Sequence, residues 1–249
     1  MINKRIFTLI LSVVFCEQVI AGIGSAAYQK LGMDARANGM GRTMLGFNSD
    51  ASALFWNPAN LCRYSSDDKQ WFHGFISQMS QKEYDIDYIS GAFVFRGKKF
   101  GFGVGIMNYR VADISVYDKY MNYNGSFDNV ENTYFIGIAS KIPYIMNFGV
   151  TLQYLDQQFK TQSTYTSEIG YNDNLDQSVG VRAGISFFPF YKYEHLMVSL
   201  AFNNASFSLI DQIEADTTRP TTTAGVAWKM PRRNSIYLNN LLVAIEIEQ

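Results

Sequence analysis

From about residue 70 onward, apolar positions alternate with small or mildly polar ones. Phe100, Phe102, Val104 and Ile106 alternate with Gly101, Gly103 and Gly105. Tyr134, Ile136 and Ile138 alternate with Phe135, Gly137 and Ala139. Phe148, Val150, Leu152 and Tyr154 do so with Gly149, Thr151 and Gln153. The same rhythm runs through Val179–Phe187, Val198–Phe202 and Ala224–Met230. Period-two alternation predicts strands with one apolar face. Nine are predicted, near 70–79, 85–96, 99–110, 132–142, 146–159, 177–188, 195–206, 221–230 and 236–248.

The second face separates two architectures. A soluble β-sandwich, the competing reading, would carry Lys, Glu and Thr there for water. Here that face is mostly Gly, Ala, Ser, Thr, Gln and Asn, which suits the crowded interior of a closed barrel. Connection lengths point the same way. Residues 97–98, 143–145, 189–194 and 231–235 are short, whereas 111–131, 160–176 and 207–220 are long and polar. Short turns at one end and long loops at the other characterise outer-membrane barrels, and only 80–84 breaks the contrast. Tyr109, Tyr134, Tyr144, Tyr154, Phe187, Phe188, Tyr191 and Tyr193 fall at strand ends, as interfacial girdles do.

Composition agrees. Charged residues are 17% and aromatics 15% of the 249 residues, against a charged share of about 25% in soluble domains. The mean hydropathy of −0.08 argues against a helical membrane bundle but not a barrel, whose strands average two faces. A net charge of −1 gives no reason to expect nucleic acid. At the N-terminus, Lys4 and Arg5, the apolar run Ile6–Phe15 and the small residues around Ala21 read as a signal peptide over residues 1–21. A membrane anchor is too long for this run, and Phe15 argues against lipidation of Cys16. Cleavage leaves Cys62 as one thiol, read as a packed small residue.

Residues 22–69 lack strand alternation, and the strands occupy 70–249. Gly32, Gly39, Gly41 and Gly46 interrupt any long helix. Asp50 is placed to cap a short helix over Ala51–Phe55, and Asn57-Pro58 fixes a turn. Gly32, Ala35-Arg36-Ala37, Gly39-Met40-Gly41, Asp50-Ala51-Ser52-Ala53 and Trp56-Asn57-Pro58-Ala59 together resemble the N-terminal segment of the FadL long-chain fatty acid transporter superfamily. The resemblance is greatest to its PorV/PorQ-like branch and a related spirochaete group. It implies an all-β, antiparallel transmembrane β-barrel with a short N-terminal helical plug, or hatch, seated in the lumen.

The resembled barrels have fourteen strands, and nine would end on the outer side. The sequence therefore reads as a truncated member, closed by oligomerisation or by a further strand around 111–130. Open strand edges in lipid leave backbone groups unsatisfied.

For the plug, Arg36, Gly39, Gly41, Asp50, Asn57 and Pro58 read as structural. Met40, Met44, Leu45, Phe55 and Trp56 are the candidate hydrophobic pocket, with Met suited to ligands of variable shape. Zinc motifs, phosphate loops and nucleophile elbows are lacking, and the glycines of Gly101–Gly105 lie at strand period rather than ahead of a helix. No enzyme activity, metal or cofactor is expected. The resemblance implies partners in outer-membrane lipid and a hydrophobic small molecule taken up passively in the bacterial outer membrane, such as a long-chain fatty acid. The PorV-like branch implies instead a carrier that holds secreted proteins. Residues 111–131, with Tyr117, Tyr120, Tyr123 and Phe127, offer a rim for such a partner, and a surface antigen is a third reading.

Overall fold

The computed structural model describes residues 27–46, 50–63, 71–97, 99–142, 145–161, 176–189, 196–208, 220–229 and 242–248. The expected signal peptide and the 231–235 turn lie outside them. Nine strands form one antiparallel meander in chain order, curved into a half-barrel. They are β1 (Phe72–Gln81), β2 (Ile86–Arg96), β3 (Phe100–Tyr117), β4 (Tyr123–Ile142), β5 (Met146–Thr161), β6 (Asp176–Phe187), β7 (Leu196–Ser208), β8 (Thr221–Lys229) and β9 (Leu242–Glu248). The all-β class and the strand count follow the alternation. Among the described residues no helix is long and apolar enough to cross a membrane.

One expected loop is instead a strand pair. Residues 111–131 continue β3 and β4, and only 118–122 form a turn. No separate tenth strand forms there. A bulge between Val111 and Ile114 re-phases the strand, with Asp113 at φ 53. The pair is held by polar groups that made it look like a loop. Arg110 Nη2 meets Asp128 Oδ2 at 2.8 Å, and Asp113 N donates to Asp128 Oδ1 at 3.1 Å. At the tip, Asp118 Oδ1 accepts from Tyr120 N and Asn122 N at 2.7 and 2.8 Å.

The two faces of the sheet are inverted relative to a protein in water. Phe93, Phe102, Ile136, Val150, Leu152, Ile185, Phe202 and Val226 all stand on the outer face and are exposed. Ser90, Thr133, Thr151, Gln153, Arg182, Ser186 and Ser199 stand on the inner face and are buried. Pairing places the outer residues in rows, such as Phe93, Val104, Ile136 and Leu152. Tyr134 and Tyr154 stack at 6.3 Å at the margin of this belt. Two expected girdle residues turn inward: Tyr109 packs under the N-terminal segment and Phe188 is buried.

What fills the concave face is the N-terminal segment. It comprises a 3-10 turn Ala27–Leu31, helix α1 (Ala35–Gly39), helix α2 (Ala53–Trp56) and a second 3-10 turn Pro58–Cys62. Helix α2 starts two residues later than expected. Asp50 does not cap it directly but accepts from Ser52 N at 2.9 Å, shaping the turn before it. Asn57 is extended and its Oδ1 caps Ala59 N at 3.1 Å, so Pro58 opens the second turn where its missing N–H costs nothing. Met33, Leu54 and Leu61 are fully buried against Val94, Met107 and Phe135 of the wall.

Candidate functional site: the plug, its wall and the cavity beside them

The plug docks on a row of small residues. Gly101, Ala139, Gly149, Gly184 and Ala201 are successive register partners across β3 to β7. A methyl at Gly101 would strike the Leu61 carbonyl, one at Gly149 the Pro58 carbonyl, and one at Gly184 the Asn57 side chain. The 3-10 turn Pro58–Cys62 thus lies directly on wall backbone, an approach only glycine permits. The small-residue face read as a lumen is here a docking track.

Polar groups fix the plug along that track. Asn57 Nδ2 donates to Leu45 O at 2.7 Å and to Ser186 Oγ at 3.0 Å. Ser186 Oγ donates to Asn60 Oδ1 at 3.1 Å, and Asn60 Nδ2 donates to Leu45 O and Gly46 O at 3.0 and 2.6 Å. Thr151 Oγ1 donates to Leu54 O at 3.0 Å. All these side chains are buried, where an unmade hydrogen bond costs about 1–3 kcal/mol.

Arg182 is the centre of this interface and is 2% exposed. Its Nε donates to Gln153 Oε1 at 2.9 Å, its Nη2 to Gln29 Oε1 at 2.8 Å and its Nη1 to Phe55 O at 3.2 Å. The guanidinium also lies 4.1 Å from the Phe55 ring centroid. A bulge between Val181 and Ala183 on the β7 side falls at this residue, a placement that re-aims a side chain. Above it, the Tyr28 ring stacks on Tyr109 at 5.4 Å and its hydroxyl bonds Thr133. Burial raises the Tyr28 phenol well above its ordinary range.

The motif residues take structural positions. Arg36 Nη1 meets Asp50 Oδ2 at 3.3 Å. Gly41 adopts φ 65, a left-handed conformation that glycine favours, in an exposed turn that also contains Gly39. Cys62 is buried, its Sγ 3.4 Å from Ala59 O, and burial pushes its thiol up to about 11. It behaves as packing rather than as a nucleophile.

None of the five candidate pocket residues lines the cavity beside the plug. Met44, Leu45 and Phe55 are buried in the plug's packing, and Trp56 is half-buried with Nε1 donating to Met33 O at 3.0 Å. Met40 stands exposed. A cavity of about 720 Å³ opens elsewhere, between the plug and the β1 side of the wall. Leu31, Asp34, Asn38 and Arg42 line one side; Gln78, Met79 and Tyr88 line the other. Tyr88 Oη donates to Gly32 O at 2.7 Å at its margin. Toward the start of β1, Phe75 packs against the plug's core and Ala51 N donates to His73 Nδ1 at 3.1 Å.

Sequence reasoning missed Arg182, the docking row and His73 as parts of the site. Arg182 carried a signal: it is a cation on a strand face otherwise made of Ser and Gly. The arrangement is a docking interface. It holds a plug firmly on β3–β6 and loosely at β1.

Comparison of the sequence with family profiles and with curated proteins gives no match. Among solved structures the fold is similar to the crystal structure of the P. putida toluene transporter TodX. The TM-score is 0.47 at 12% identity, over 82% of this chain and 70% of that one. At that distance the likeness carries no argument about what this chain binds.

Proposed function

We propose that this chain is the plugged wall of a bacterial outer-membrane β-barrel that lets hydrophobic small molecules, long-chain fatty acids among them, cross passively. The observation that carries the reading is the inversion of the two sheet faces. Water leaves large apolar rows inside and polar side chains outside; this sheet does the reverse over neighbouring strands. The outer apolar run of β4, Tyr134 to Ile142, spans about nine residues, the length of a membrane strand of ~9–11 residues. Lipid is the solvent in which such a surface is stable.

The route is the gap on the β1 side. Its volume of about 720 Å³ falls within the ~300–1,000 Å³ of small-molecule pockets. Leu31, Met79 and Tyr88 offer apolar contact, and Asn38, Arg42 and Gln78 offer polar contact, which suits an amphiphile with a chain and a polar head. Release requires loose binding, so affinity is moderate. The test is reconstitution of the full chain in liposomes with radiolabelled palmitate and toluene. Saturable binding and flux above protein-free liposomes are expected; absence of both refutes the reading.

A second reading, a carrier for secreted proteins, draws on the β3–β4 tip. Tyr117, Tyr120, Met121 and Tyr123 are exposed there, and Tyr117 packs edge-on against Tyr123 at 5.8 Å. Capture of secreted proteins that is lost on replacing these tyrosines by serine supports it; an empty pull-down removes it.

A further inference from the structure

We propose that His73 is a latch that ties the plug to the first wall strand, and that protonation of its imidazole opens the latch. The inference rests on the passage proposed above and concerns how the plug is held on β1 beside it. Ala51 N–H can only donate, so the bond at 3.1 Å requires a lone pair on His73 Nδ1. The imidazole is therefore neutral, with its proton on Nε2. Ala51 is completely buried, so its N–H needs this acceptor. Protonation turns Nδ1 into a second donor facing a donor. The bond is then lost and the amide is left without a partner.

Position gives the bond its consequence. The bond joins β1 to the plug, whereas β5 and β6 hold the plug through Thr151, Arg182 and Ser186. His73 lies at the short-turn end of β1, and the cavity-lining residues Ser77 to Met79 lie further along it, about 13–20 Å at ~3.3 Å per residue. Breaking the bond leaves the plug held on β1 at this end by the packing of Phe75 against its core. The docked face on β3–β6 stays in place.

The charges around the latch do not offer the imidazolium a free partner. On the plug side stands Asp50, whose Oδ1 accepts from Ser52 N and whose Oδ2 accepts from Arg36. On the wall, the register partner of His73 is Val94, and Arg96 stands two positions beyond it on β2. On β1 itself the same-face neighbour is Phe75. Acidification is the trigger, because the added proton removes the acceptor.

Amide hydrogen exchange of the full chain in outer-membrane vesicles tests the latch, with rates corrected for the intrinsic effect of pH. Wild-type Ala51–Phe55 amides are expected to lose protection about tenfold between roughly pH 8 and pH 5, the scale of one hydrogen bond. His73→Asn keeps an acceptor at the Nδ1 position and cannot titrate, so protection is expected at both pH values. His73→Phe is expected to be unprotected at both. Equal wild-type protection at the two pH values overturns the latch, as does a His73→Asn variant that still responds to acid. Flux of labelled palmitate in liposomes at the same pH values separates the readings. An exchange transition without any flux keeps the latch and defeats the uptake proposal.

Discussion

Replacing Arg182 with methionine keeps buried volume while removing every hydrogen bond the guanidinium donates. Three acceptors are left behind: Gln153 Oε1, Gln29 Oε1 and Phe55 O. Each buried group left unpaired costs about 1–3 kcal/mol, and the lost contact with the Phe55 ring adds up to ~2 kcal/mol. Against this, the variant no longer has to keep a cation out of water, which returns several kcal/mol. The net expectation is about 3–4 kcal/mol, what the three unpaired acceptors and the lost ring contact leave after that relief. Two of the three acceptors belong to the plug, so the loss falls on plug docking. We therefore expect amide protection over Phe55–Cys62 to fall by roughly 10²–10³-fold, with protease cleavage inside the plug, while the strand content of the wall is unchanged by circular dichroism. Arg182→Lys should fall between, since one ammonium cannot reach three spread acceptors. Unchanged plug protection in Arg182→Met refutes the reasoning, and so does a loss of wall structure in step with the plug.

Other outcomes follow from the same interface. Gly149→Ala drives a methyl into the Pro58 carbonyl and should loosen the plug by about 1–3 kcal/mol, read as a lower denaturant midpoint for Trp56 fluorescence. Asn60→Leu takes the donor from Gly46 O and one partner each from Leu45 O and the Ser186 hydroxyl, which keep Asn57 and Ser199, and should cost ~1–3 kcal/mol in the same assay. For Cys62 the thiol value is raised from 9.0 to about 11 by burial. The native state therefore keeps its proton where the unfolded chain has lost it. The resulting stability is complete below about 9 and is lost as pH climbs toward 11. Urea midpoints of the plug transition should drop across that window in the wild type and stay flatter in Cys62→Ala. The thiol should resist iodoacetamide until the plug unfolds.

How much of this was legible depended on whether a feature is local. The nine strands were, because alternation such as Phe148–Tyr154 is written into neighbouring residues. The reach of β3 and β4 was not, because Asp113 and Asp128 look like loop residues until Arg110 and a bulge pair them across the hairpin. The plug's segments were visible in Gly32, Asp50 and Asn57-Pro58, since glycines and caps act within a few residues. The cavity on the β1 side was not foreseen, for the opposite reason. Phe55 and Leu45 are apolar because they pack, while the cavity arises from a mismatch between α1 and β1 that neither segment encodes alone. Tyr109 was assigned to the outer girdle because its place near a strand end says nothing of which face it occupies.

The docking row also sets an order of assembly. The guanidinium of Arg182 finds Gln29 across 153 residues of chain, and Ser186 finds Asn57 across 129. Each wall hairpin, by contrast, pairs neighbours in sequence, and closure entropy grows with loop length. The first-made segment is thus among the last to be seated. Until β2 to β5 are in place, Leu54, Leu61 and Met33 lack the wall they bury against, and the bare backbone of Gly101, Gly149 and Gly184 is open to any extended chain that passes. A protein built this way depends on its own leading segment arriving before a foreign one does, and a holding chaperone that shields residues 50–62 during folding would decide that race.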